Sequence, residues 1–314
     1  MTLRTLTDYK KAFGPQAGEG LYNLLQTIMV VIEKTPVNAV DATGTLTISD
    51  VAIDGETVTI GNDVYEFCAD TVQSLTSGSD FAIDITSFTT KSQGILTIDT
   101  QPTLSDTMTI GSITYIFVPN GTVNAPGEIS IGTDLATAQT NIKNALDGTD
   151  GYNIAHTQVT MAAFGGNVSL ITAIIGGTAG DSIVTTETFF AGTNIFDAAT
   201  LGTTTAGVDC ASANAVTAIV TSVTANDTQG VGAADGVGNT VDLTADTAGV
   251  AANSLATTET MANGAFGGAT MSGGVDGTVG DKGQTYFDAS YIYVAIAANT
   301  IADANWERAT ISSY

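Results

Sequence analysis

His156 is the single histidine of this 314-residue chain, and Cys68 and Cys210 are its two cysteines. One histidine excludes His-pair metal sites and HExxH zinc chemistry. A nucleophile–histidine–acid triad remains formally open, yet the chain holds no GxSxG elbow and no CxxC pair. His156 lies between the Asp150-Gly151 turn and a strand-like run, the place of an ordinary surface or edge histidine. For Cys68 and Cys210, two small core thiols are the simpler reading, and a disulfide stays open. The glycine-rich segment from Gly230 to Gly238 has no Walker lysine and no buried parallel strand before it. It reads as a hairpin loop rather than a phosphate cradle. The Asp-rich turns match neither an EF-hand nor an RTX nonapeptide and read as solvated turns, with weak calcium binding left open. With 32 Asp and Glu, carboxylate pairs are too numerous to single out a glycosidase geometry. The sequence thus nominates no catalytic, cofactor-binding or metal-binding set.

Charge narrows the partners. Eight Lys and Arg against 32 Asp and Glu give a net charge of −24. Phosphate-backbone affinity rests on clustered cations, so nucleic acid is not an expected partner. Half the cations (Arg4, Lys10, Lys11 and Lys34) fall in residues 1–34, where they outnumber Asp8, Glu19 and Glu33 by one. A near-neutral arm on an acidic body suggests two surfaces with different partners. Met1-Thr-Leu-Arg-Thr-Leu6 is not followed by an apolar h-region, so no secretory leader is expected. The apolar run Ile28–Ile32 is too short to span a membrane, and no membrane partner is expected.

The elements that must position any site come from an internal duplication. Gly44-Thr-Leu-Thr-Ile48 recurs as Gly94-Ile-Leu-Thr-Ile98. Thr57-Val-Thr-Ile-Gly61 and Tyr65-Glu-Phe67 recur as Thr107-Met-Thr-Ile-Gly111 and Tyr115-Ile-Phe117, all at one offset of 50. Downstream, Ser182-Ile-Val-Thr-Thr-Glu-Thr188 recurs as Ser254-Leu-Ala-Thr-Thr-Glu-Thr260 at an offset of 72. The order front, front, back, back predicts nesting: an inner module of 91–207 inserted in an outer module of 41–90 plus 208–275. Alternation of Thr with Val, Ile or Leu predicts half-buried antiparallel strands in each front. Asp134 is placed to cap a helix over Leu135–Leu146, stopped by Gly148, and Asp209 to cap one over Cys210–Val223. Strands are expected at Val159–Ala162, Val168–Ala173, Ile183–Thr188, Val241–Ala245 and Leu255–Thr260. Each module reads as β-β-β-α-β-β-β, a sheet backed by one helix.

Two further segments flank the modules. In residues 1–40, Leu21, Leu24, Leu25, Ile28 and Ile32 fall on one helical stripe, widened by Met29, Val30 and Val31. Such a helix must be buried, either on its own outer module or at an oligomer or anchoring interface. Residues 276–314 carry Tyr291, Tyr293 and Trp306 on a predicted hairpin, a unit too small to secure a core alone. Packing on a neighbour or trimerisation is expected. The fold class is therefore α+β, mostly antiparallel β: two related sheet-plus-helix modules, one inside the other, with an N-terminal helical arm and a small C-terminal β unit.

The pattern Gly44–Phe67 (GTLTI…DGETVTIG…YEF) with Thr247–Gly274 (TAG…NSLATTET…GATMSGG) resembles a module of tailed-bacteriophage virion proteins. The segment from Val279-Gly-Asp-Lys-Gly-Gln284 through Asp288–Ala295 to Asn305-Trp-Glu-Arg308 is similar to the end segment of phage head-fibre and other surface-appendage proteins. The inner module departs from the pattern, with Ser105-Asp106 replacing the Asp-Gly turn. The resemblance implies a non-enzymatic structural protein of the virion, assembled in the host cytoplasm as capsid decoration, cement or head fibre. Its implied partners are the major capsid protein or other virion proteins, with a homotrimer as the assembly. A receptor-binding tail fibre or adhesin, contacting a host-surface glycan, is the alternative, and a glycan depolymerase ranks third.

Overall fold

The computed structural model describes residues 36–190, 193–287, 291–296, 298 and 306–310. The predicted arm helix with Leu21, Leu24, Leu25, Ile28 and Ile32 lies outside them.

The chain is α+β and mostly antiparallel. In order it forms β1 (Thr43–Ile48), β2 (Thr57–Ile60), β3 (Asp63–Cys68) and β4 (Phe81–Asp84). Then come β5 (Gln93–Thr97), β6 (Thr107–Ile110), β7 (Ile113–Val118), β8 (Glu128–Ser130) and α1 (Leu135–Asp147). After α1 follow β9 (Val159–Met161), β10 (Val168–Ala173), β11 (Thr185–Glu187) and β12 (Ile195–Phe196). Next are α2 (Ser212–Asn226), β13 (Val231–Asp235), β14 (Thr240–Ala245), β15 (Thr257–Glu259) and β16 (Gly264–Phe266). The tail adds β17 (Thr285–Phe287), β18 (Tyr291–Ala295) and β19 (Trp306–Thr310).

Four of the five sheets have four strands, in the orders β12-β5-β10-β9, β11-β6-β7-β8, β13-β14-β1-β16 and β15-β2-β3-β4. The strands of 93–196 pair only among themselves in these sheets, and those of 43–84 pair with those of 231–266. Within each set the registers repeat: Thr185↔Ile110 in one corresponds to Thr257↔Ile60 in the other. Each set has eight strands in two sheets, not the six in one sheet read from the sequence. The unread strands are β8, β12, β13 and β16, all short or small-residue segments with little alternation. β4 and β8 run parallel to β3 and β7. A parallel neighbour needs a crossover, and 69–80 and 119–127 supply it.

The chain divides into two compact units, one of Thr45–Leu243 with Ala256–Ala269, the other of Met1–Gly44, Thr244–Leu255 and Thr270–Tyr314. Within the first, the inner core joins both its sheets to α1: Leu96, Met108, Tyr115, Phe117, Ile142 and Ile171 are at most 1% exposed. The duplicated positions are equally dry. Leu46, Ile48, Val58, Ile60, Tyr65 and Phe67 and their partners fifty residues on are all buried. Each such side chain contributes roughly 1.5–3 kcal/mol of apolar burial.

Helix ends separate the two modules. Asp134 caps α1 by accepting from the Thr137 N–H at 2.8 Å, and Gly148 closes it in the left-handed region at φ 68°. α2 instead starts at Ala211, which offers no side-chain cap. Asp209 does not cap it: its carboxylate accepts from Thr178 N–H at 2.8 Å and Thr178 Oγ1 at 2.7 Å. The reason lies in a second repeat, Gly207-Val-Asp209 and Gly274-Val-Asp276. Asp276 likewise accepts from Val250 N–H at 2.8 Å. Both aspartates close a module onto its one-turn 3₁₀ helix, Thr178–Ser182 or Val250–Ser254.

Candidate functional site

The residues with reactive potential are engaged in structure. His156 is 3% exposed, not the surface histidine expected. Its Nε2 lies 3.1 Å from the Ile110 carbonyl, and its Nδ1 accepts from Gln158 N–H at 3.1 Å and Val159 N–H at 3.3 Å. This requires the neutral ring with the proton on Nε2. Burial lowers its pKa from the ordinary imidazole value, opposed by the bond to Ile110. Cys68 and Cys210 are free, buried thiols. Burial, then nearby carboxylates, pushes Cys68 up to about 12 and Cys210 up to about 11. Such thiols are poor nucleophiles. The glycine-rich segment forms β13 in its first half and a hairpin turn in its second, with Gly238 and Asn239 at positive φ.

Several carboxylates are buried for the same reason. Asp106, 3% exposed, accepts from Thr103 N–H at 2.7 Å, Thr103 Oγ1 at 2.9 Å and Phe190 N–H at 3.0 Å. Its repeat partner Glu56 accepts from Ile53 N–H at 3.0 Å and Ala262 N–H at 2.7 Å. Each acid ties a tight turn to a segment far along the chain, the turn before β16 for Glu56 and the stretch after β11 for Asp106. Burial would raise Glu66, but hydrogen bonds from Ser79 and Thr76 outweigh it and hold its carboxyl below the usual range. Among the described residues, no group of three or more His, Cys, Asp or Glu is placed to hold a metal ion.

One concavity differs from this pattern. A groove of about 360 Å³ lies between the first strand–turn of the outer module and the 3₁₀ turn of the inner one. Ile53, Asp54, Gln158, Ile175, Ile183 and Asp209 are among its lining residues. Ala69 N–H donates to Asp54 Oδ1 at 2.7 Å, and Gly176 N–H donates to the Ala69 carbonyl at 3.2 Å, which fixes the two walls together. Burial raises the Asp54 pKa above the ordinary aspartate value, more than the Ala69 bond lowers it, and Asp70 and Glu66 add repulsion. Sequence reasoning placed Asp54 in a solvated turn and missed the groove.

The predicted tail residues do come together. Tyr293 and Trp306 are 8% exposed and share a cluster with Ala295, against which Tyr286 and Tyr291 pack. Tyr286 meets Trp306 edge-on at 5.1 Å, Tyr291 meets Tyr293 at 6.1 Å, and the Arg308 guanidinium lies 4.7 Å over the Tyr291 ring. Trp306 Nε1–H donates to the Thr278 carbonyl at 2.9 Å, and Trp306 N–H donates to Asn38 Oδ1 at 3.2 Å. The indole also covers Gly280, where an added Cβ would lie 2.6 Å from the ring. Cover for Trp306 thus comes from its own chain, through Thr278–Gly280. Tyr286 and Tyr291 stay half-exposed.

No protein family, curated protein or solved structure matches this chain.

Proposed function

We propose that this chain is a non-enzymatic structural protein of a tailed-phage particle, a decoration, cement or head-fibre component whose modules project from the shell. The observation that supports it is the paired use of polar groups. Glu56 and Asp106 hold corresponding turns, and Asp276 and Asp209 close corresponding 3₁₀ turns. A duplicated scaffold whose buried acids bind backbone N–H groups suits a repeated spacer better than a reaction centre. Its partners are the major capsid protein or other virion proteins. A homotrimer then rests on half-exposed Tyr286 and Tyr291 and on the arm, since Trp306 has local cover.

The alternative, a receptor-binding fibre or adhesin, is favoured by half-exposed Tyr291 beside Arg308, a pair suited to a sugar ring. Recombinant protein added to particles lacking it, followed by imaging, separates the two. Symmetric density on the shell, lost on deleting residues 1–35, is the expected result. Binding to host cells but not to particles would move the assignment to the adhesin, and binding to neither would overturn both.

A further inference from the structure

The duplication offers an internal control. Polar groups that both modules share serve the common scaffold, so a polar group present in one module alone has another origin. Gly55 and Ser105 are such a shared pair, both at positive φ and each donating its N–H to a phenylalanine carbonyl, Phe67 or Phe117. The residue before each differs: Asp54 in the outer module and Leu104, 54% exposed, in the inner. Asp54 answers the Ala69 N–H, whose inner counterpart Pro119 has no N–H, so the inner module needs no acid there.

Asp54 sits in the groove with one oxygen held. Oδ1 accepts from Ala69 N–H, and among the described residues no donor reaches Oδ2. The surrounding field is negative. Glu66, Asp70 and Asp84 lie close enough, together with Asp54, to raise the Cys68 thiol, and Asp209 lines the same groove. The ion pair present among the described residues, Lys143–Asp147, is on α1 and involves none of these acids. The rim is apolar: Ile53 and Ile175 are each 41% exposed. Gly176 on its lining packs so closely on Thr89 that an added Cβ would strike that side chain.

We infer that this groove receives the side chain of a lysine on a partner polypeptide, its aliphatic stem between Ile53 and Ile175 and its ammonium on Asp54 Oδ2. The volume of about 360 Å³ is at the small end of ligand pockets, roughly 300–1,000 Å³, and suits one or two side chains. A guanidinium prefers a two-oxygen fork on its carboxylate, whereas an ammonium is a point charge. With Oδ1 already occupied, Asp54 presents one oxygen and matches the ammonium. The stem accounts for the isoleucines, which a bare cation would not use. The inference does not depend on the virion assignment.

The test is an amide-NMR titration of the full chain with Nα-acetyl-lysine methylamide, paired with the norleucine analogue, which keeps the stem and lacks the ammonium. Saturable shifts are expected at Gly176, Ala179 and Ile183, with norleucine at least about tenfold weaker, a difference of about 1.4 kcal/mol. Asp54→Asn, whose amide oxygen can still accept from Ala69, should remove the preference for lysine. Ile175→Ser, on the exposed rim, should weaken both probes. Equal binding of the two probes, unchanged lysine binding by Asp54→Asn, or shifts confined to other residues would overturn the inference. So would no saturable shift with wild-type protein. Spermidine serves as a further arm: binding tighter than lysine and indifferent to Ile175→Ser would assign the groove to free polyamine instead.

Discussion

Removing the Asp106 carboxylate is the sharpest test of the claim that buried acids hold these modules together. Asp106→Ala leaves two backbone N–H groups, of Thr103 and Phe190, and the Thr103 hydroxyl without their acceptor. A buried donor left unsatisfied costs about 1–3 kcal/mol. Thr103 is half-buried and Phe190 is exposed, so water reaches the freed groups in part, and the expected loss is about 2 kcal/mol. In urea, with a slope of roughly 1–3 kcal/mol per molar, the midpoint falls by about 0.7–2 M. Far-UV circular dichroism should follow the transition. Trp306, the only tryptophan, belongs to the other compact unit, so its fluorescence reports that unit separately. Hydrogen exchange at the Phe190 and Thr103 amides should accelerate in the variant before the rest of the module opens. Asp106→Asn should fall between, since one amide oxygen can still accept. Glu56→Ala should cost a similar amount, because it frees Ile53 N–H and Ala262 N–H. A loss under about 0.5 kcal/mol for Asp106→Ala would refute the reasoning, since that is within the range of an ordinary surface change.

Three further outcomes follow from the helix ends and the buried titratable groups. Ala211→Asp should stabilise α2 by about 1 kcal/mol and Asp134→Ala should weaken α1 by about as much, measured by thermal denaturation. With thiols pushed up to about 12 and about 11 by burial, neither Cys68 nor Cys210 should react with an aromatic disulfide reagent at neutral pH until urea unfolds the chain. His156, with its pKa lowered in the fold, binds fewer protons folded than unfolded. Its contribution to stability is therefore whole above the unfolded value of about 6.5 and is lost as pH falls through the folded value. Wild type should lose more melting temperature between about pH 7.5 and pH 5.5 than His156→Gln, and parallel curves would count against the buried-imidazole assignment.

Much of the fold was legible because it was written twice. One offset of 50 aligned residues that are buried in both modules, and that agreement carries more than alternation in either copy alone. The Asp134 and Gly148 ends of α1 were legible because capping is local, decided within four residues. Asp209 was misread for the same reason. It has the residue type and the position of a cap, and only the Thr178 contact, thirty-one residues back, reveals its use. The second Gly-Val-Asp, at 274–276, was the signal that places it at a module end. The strands β8, β12, β13 and β16 were not legible, since three of them have two or three residues and β13 is Val-Gly-Ala-Ala-Asp. Their order comes from neighbours already in place.

The acids could not be sorted by sequence alone, and the physical reason is the distance to their partners. Asp54, Glu56 and Asp106 all sit at tight turns, where a solvated carboxylate is the ordinary case. What separates them is a donor remote in sequence: Ala262 lies 206 residues from Glu56 and Phe190 lies 84 from Asp106. No local pattern encodes such a pairing. Comparison between the modules does encode part of it. Glu56 corresponds to Asp106 and both are buried scaffold acids, while Asp54 corresponds to Leu104 and lines the groove. Duplication first makes two copies carry the same structural burden, and each copy then becomes free to change where the scaffold does not constrain it. The unmatched polar residues of a duplicated chain are thus the place to look for what each copy does for itself, and Asp54 is such a residue here.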